Sequence, residues 1–274
     1  MRGGQRVDTV TAVKPRSVAR RVLAGAALVV LTASACTTHA GSAAQVGDET
    51  IKTSTLRDVV DRGLAASRSA GATGQADDRT AQAVAPIERG ELQRRALTTL
   101  VQLNLLEREA HSLGVTVTDQ DLDAYYQAYG LLQFGSVAAF EQRAAQSGIA
   151  RQDLRAAARS NVLELAITDR LTPDVIASEK QARDVYDKIV KQVGKIPLSF
   201  AQAQPYLVRW LAEEQRNPVL HTKLREVADR EPVSINPRFG SWDSAQLAVV
   251  AADVSVATTP APEPPLGSGI SIGQ

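Results

Sequence analysis

Apolar residues recur in steps of three and four along most of this chain, the spacing that lines one face of an α-helix. The clearest run is Leu92, Ala96, Leu100, Leu103, Leu106, Ala110 and Leu113, widened by Val101 and Leu105, with Gly114 placed to end it. Thr118 and Asp121 have the spacing of a helix-opening cap before Leu122, Tyr125, Tyr126 and Tyr129. Gly130 and Gly135 bracket LLQF, which reads as a loop carrying Leu131 and Leu132. Ser136 then caps a short helix with Val137 and Phe140, and Ser147-Gly148-Ile149 breaks it. Leu154, Ala158, Val162, Leu165 and Leu171 share one face of the next helix, which Thr172-Pro173 interrupts.

Ser178 with Gln181 opens a further helix to about Val193. Ser199 with Gln202 opens a long one to about Ala228, with a shifted start or kinks expected at Pro205 and Pro218. Period-two segments lie only near the ends. Residues 44–51 read as two strands about a Gly47-Asp48 turn, followed by a helix near Leu56 capped by Thr53 or Ser54. In 232–239, Val233 and Ile235 alternate with polar neighbours. Residues 67–90 mix Gly, Ala, Ser and Asp without a period and predict a flexible loop. The Ala/Pro-rich stretch 244–274 predicts a disordered tail. The expected fold is mainly α, with a small sheet pairing strands from 44–51 and 233–239.

Residues 1–21 carry six Arg or Lys against Asp8, and an apolar run from Val22 to Ala33 follows. This is the layout of a secretory signal peptide, and the run is short for a membrane span. Ala33-Ser34-Ala35-Cys36 resembles a bacterial lipobox, with Ala33 where Leu is usual. In such a motif the cysteine is lipidated and becomes the first mature residue; a plain cleavable signal or an ordinary thiol is the alternative. Residues 1–35 are thus expected to be removed through the general secretory route, twin-arginine export resting on Arg20-Arg21 alone. Cys36 would be the anchor on the extracytoplasmic side of the membrane, and 36–43 a tether containing His39.

Removing 1–35 leaves 25 Lys+Arg against 29 Asp+Glu, a net charge of −4. An acidic exported chain lacks the basic face that nucleic acid needs. One cysteine and three scattered histidines exclude a disulfide framework, a thiolate zinc cage and an iron–sulfur cluster, so neither metal nor cofactor is expected. A Walker loop, H-E-x-x-H and C-x-x-C are all missing. Asp119/Asp121 and Glu213/Glu214 read as a cap and a solvated helix face, and His111 and His221 as a helix-end and a helix-surface residue. Five of the eleven aromatics, Tyr125, Tyr126, Tyr129, Phe134 and Phe140, fall within sixteen residues. With Leu131 and Leu132 they form the candidate peptide-binding set; filling of an ordinary core is the competing explanation. Phe239 and Trp242 are expected to pin the closing strand.

Four segments, in this order, resemble the SurA/PrsA group of extracytoplasmic foldases. They are AQVGDETI, then ALTTLVQLNLLEREAHSLGVTVTDQDLDAYY, then FEQRAAQSGIARQDLRAAARSNVLELAITDRL, and finally VSINPRFGSWD. Together they span residues 44–243. Ala150 stands where the group often has a Ser or Thr cap. A parvulin prolyl-isomerase domain is commonly inserted ahead of the last long helix, but here 193–199 holds only VGKIPLS. The resemblance implies a SurA N-terminal-like helical domain and an ATP-independent chaperone without isomerase activity. Its partners would be unfolded or exported polypeptides and, through Cys36, the membrane, with no small-molecule substrate. A dedicated adaptor for one cell-envelope partner is the first alternative, and an enzyme of unrecognised type acting on cell-wall material, which would require a cleft with perturbed carboxylates, is the second.

Overall fold

The computed structural model describes residues 41–74 and 87–252. The signal peptide, Cys36 and His39 lie outside the described residues, as do 75–86 of the expected loop and 253–274 of the expected tail. The chain opens with an antiparallel hairpin of β1 (Ser42–Val46) and β2 (Glu49–Lys52). Gly47 makes its turn at φ +56°, and a Cβ there would stand 2.2 Å from the Glu231 carboxylate. Only glycine meets both demands.

Two helices follow, α1 (Thr53–Gly74) and α2 (Arg89–Ser112). The segment from Ser67 is therefore not a loop at its start: α1 continues to Gly74, and α2 already holds Arg89 and Gly90. The Ala and Ser residues of this segment tolerate a helix, and Ala70 is buried on its inner side. Helix α2 is the centre of the main core, with Leu97, Val101, Leu105 and Leu106 fully buried. It ends in a Schellman motif, Val115 N–H donating to Ala110 O at 2.8 Å and Gly114 N–H to His111 O at 3.2 Å.

The next elements are α3 (Asp119–Phe134), α4 (Val137–Gln146), a 3-10 turn (Arg151–Asp153) and α5 (Leu154–Leu171). Thr118 and Asp121 form a reciprocal capping box, and Ser136 caps α4. Ala150 provides no side-chain cap. Gly130 does not break α3. A Cβ at that position would lie 3.1 Å from Val137 Cα, so the glycine lets α3 and α4 cross closely. Leu131 and Leu132 are consequently helical and buried, not on a flexible loop.

Helix α6 (Glu179–Val193) leads through a short loop into α7 (Phe200–Trp210) and α8 (Glu213–Arg230). Helices α6 and α7 begin at the capping boxes that the sequence places at Ser178 and Ser199. The expected single helix to Ala228 is instead two, separated at Leu211-Ala212, and Pro205 and Pro218 sit inside helices.

Strand β3 (Val233–Ile235) pairs antiparallel with β1, Ala44 facing Ile235 and Val46 facing Val233, giving the order β2-β1-β3. The sheet thus joins the two ends of the folded region. Arg108 of α2 clamps this junction, its guanidinium donating to Val46 O at 3.0 Å, to Asp48 and to Glu231 at 3.1 Å. The chain does not become irregular at Ser244. β4 (Ser241–Asp243) and β5 (Ala248–Val250) form a second hairpin, and Leu247 and Val249 are buried against α2. Asp243 holds its turn by accepting from Ala245 N–H at 2.9 Å and Gln246 N–H at 3.0 Å. Phe239 and Trp242 pack on the main core, as expected.

A second, smaller core joins Leu131 and Leu132 of α3 to Ala182 of α6, Ile196 and Leu198 of the loop, and Phe200, Ala203 and Leu207 of α7.

Two glycines of α1 test this packing. At Gly63 a Cβ would stand 2.2 Å from Gly148 O, whereas at Gly71 no atom of the described residues lies within 4 Å. Gly63→Ala is expected to destabilise by about 2 kcal/mol through overpacking. Gly71→Ala should instead gain up to about 1 kcal/mol of helix propensity. Urea denaturation of the two variants measures both.

Candidate functional site

Residues four apart on a helix share a face. In α3 this places the Tyr125 and Tyr129 rings in a stack, 5.5 Å apart and 11° from parallel. In α7 it does the same for Tyr206 and Trp210, 6.5 Å apart and 12° from parallel. The two stacks meet edge to face, Tyr206 lying 5.9 Å from Tyr125 and 6.4 Å from Tyr129. Phe134 and Phe140 pack behind Tyr129 at 5.6 and 5.1 Å. Tyr126 turns to the other side, its ring 5.2 Å from Phe140 and its hydroxyl donating to Glu141 at 3.0 Å.

The two stacks wall a hollow of about 270 Å³, partly open to solvent, between α3, α5, α7 and α8. Of the seven residues singled out from sequence, Tyr125 and Tyr129 line it. Tyr126, Phe134 and Phe140 are half-buried neighbours in the same ring network, and Leu131 and Leu132 belong to the second core. The sequence reading missed Tyr206 and Trp210, although their spacing of four in a helix was a usable signal.

Polar groups complete the lining. Gln133 donates to the Tyr206 hydroxyl at 3.2 Å, and Asn161 also lines the hollow. Burial raises the pKa of both phenols, so they stay protonated at any physiological pH. Glu164 of α5 is pushed up to about 7, first by burial and then by the negative charge of Glu213 on α8.

At the hollow's inner side, Arg216 of α8 is 2% exposed. Its Nη2 donates to Thr168 Oγ1 at 2.7 Å and to Asp169, while Nε and Nη1 have no hydrogen-bond partner among the described residues. Asp169 also accepts from Arg209 Nε of α7 at 2.8 Å. One carboxylate on α5 thus fastens both sides of the α7–α8 break. No Ser, Cys or His lines the hollow, and no group of three His, Cys, Asp or Glu among the described residues is arranged to hold a metal.

The fold is a helical body tied at its ends by a three-stranded sheet, with an aromatic-walled hollow in its side. The chain belongs to the SurA-like N-terminal domain family, a chaperone-related family whose model matches residues 16–168, more than half of the sequence. The match ends at Thr168 in α5. Helix α3 and the part of α5 that lines the hollow fall within it, and α7 and α8 lie beyond. Comparison with curated proteins and with solved structures finds no match.

The Glu164 environment has a measurable consequence. Its folded pKa of about 7 lies above the ordinary 4.5, so between these values the folded protein keeps a proton that the unfolded chain releases. Stability is therefore lost as pH rises through this window. Glu164→Gln should exceed wild type by on the order of 2 kcal/mol at pH 8, the gap closing towards pH 5. Urea melts of both proteins across this range test the slope.

Proposed function

We propose that this protein is an ATP-independent, chaperone-like lipoprotein that holds unfolded or exported polypeptides outside the cytoplasm. The observation that carries this reading is the open hollow walled by Tyr125, Tyr129, Tyr206 and Trp210 in a SurA-like domain. Aromatic walls give apolar contact that tolerates many sequences, while hydroxyl, amide and carboxylate groups at their edges serve the polar groups of a peptide. Burial of ~400 Å² of client surface corresponds to about 10 kcal/mol gross, largely offset by docking and ordering costs. The result is weak, broad and rapidly exchanging binding, which suits a holder.

Prolyl-isomerase activity is not part of this proposal, because only 194–199 separates α6 from α7 where the foldases commonly carry a parvulin domain. The anchor is a lipid on Cys36, placing the domain on the extracytoplasmic side of the membrane.

Light scattering of a reduced, aggregating secreted protein tests the reading. Several-fold excess of this protein is expected to suppress aggregation. Trp210→Ala, checked for folding by circular dichroism, should weaken suppression about fivefold by removing one wall of the hollow. Undiminished aggregation in the presence of wild type contradicts the proposal.

A further inference from the structure

The hollow's charges are unevenly matched. Its cations, Arg209 of α7 and Arg216 of α8, both pair with Asp169 of α5. Its carboxylates, Glu164 of α5 and Glu213 of α8, form no ion pair among the described residues; Glu213 accepts only from Asn217, at 3.3 Å. Helix α3 contributes no charge to the lining, only Tyr125, Tyr129 and Gln133. Counting Asp169, three carboxylates stand against two guanidiniums, so once Glu164 is ionised one negative charge is left over in a space bounded by four electron-rich rings. A cation is attracted to aromatic faces by their quadrupoles and to carboxylates by charge, and desolvation strengthens both.

We propose that the hollow receives a basic side chain of the bound polypeptide, a lysine ammonium or an arginine guanidinium, set between the Tyr and Trp rings and the carboxylates of Glu164 and Glu213. This rests on the polypeptide-binding reading and assigns its selectivity. Charge complementarity determines the occupant: an acidic side chain adds to this surplus of negative charge, and a neutral one leaves it unmet. Glu164 must be ionised to take part, and burial makes it protonate near neutral pH. The preference for a basic residue therefore strengthens as pH rises through about 7. The titratable and charged groups that line the hollow with Glu164 are Glu213, Tyr125, Tyr129, Tyr206, Arg209 and Arg216, and the Tyr125 and Tyr206 phenols stay neutral over that range.

The test uses the full chain and three labelled peptides identical except for one central residue, Lys, norleucine or Glu, with binding read by fluorescence anisotropy. At pH 8 the Lys peptide should bind about tenfold more tightly than the norleucine peptide. The Glu peptide should bind more weakly than either. The Lys-to-norleucine ratio should fall towards one at pH 5.5 and in Glu164→Gln, with Glu213→Gln as a second variant. Equal binding of the Lys and norleucine peptides overturns this inference and leaves the polypeptide-binding reading standing. Failure of all three peptides to bind overturns both.

Discussion

One carboxylate on α5, Asp169, holds a guanidinium from each side of the break between α7 and α8. Arg209 approaches from α7 and Arg216 from α8, and the Thr168 hydroxyl accepts a further hydrogen bond from Arg216 at 2.7 Å. A guanidinium as deeply buried as Arg216 cannot be left without its counter-charge; removing one partner of such a pair typically costs about 3–5 kcal/mol. Burying the pair in place of apolar side chains gains little stability by itself. What it provides is position: α7 and α8 must meet α5 at this point.

That position keeps the protein's two cores apart. The main core gathers α1, α2, the sheet, the inner faces of Leu163 and Ile167, and Leu220, Leu224 and Val227 of α8. The second gathers α3, α6 and α7. Between them lie the Asp169 cluster and the aromatic stacks. Long rings spaced four apart on α3 and α7 meet at their edges and leave a hollow instead of interdigitating as leucines do. Glu164 forms no ion pair among the described residues, which leaves the hollow with a surplus of negative charge once this acid is ionised. In this account the same acid weakens the folded state at alkaline pH and recruits a basic client residue.

Local signals were read accurately because their physics is local. The capping boxes at Thr118, Ser178 and Ser199, the glycine stop at Gly114 and the Gly47-Asp48 turn each depend on a few adjacent residues. The resemblance to SurA-type domains likewise rested on segment order, and the family match agrees with it. Features fixed by distant partners were misread. Gly130 looks like a breaker until α4 is seen crossing it, and the helix from Ser199 looks continuous without Asp169 to fasten its two halves. The hairpin of β4 and β5 has little pattern in three-residue strands and gains its place from Thr98 and Gln102 of α2, which bind Val249 N–H at 2.8 Å and Leu247 O at 3.0 Å. The aromatic cluster in α3 and α4 drew notice because it is dense in sequence, yet half of the hollow's rings come from α7, about eighty residues on.

The chain has two tryptophans, Trp210 in the hollow and Trp242 on β4 against the main core. In a Trp242→Phe background, Trp210 alone reports, and titration with an unfolded polypeptide lacking tryptophan measures occupancy directly. Client segments docking between the rings predict a saturable blue shift of Trp210 emission over the concentrations at which aggregation is suppressed. Suppression with Trp210 emission unchanged throughout would contradict the claim that the hollow is where clients bind.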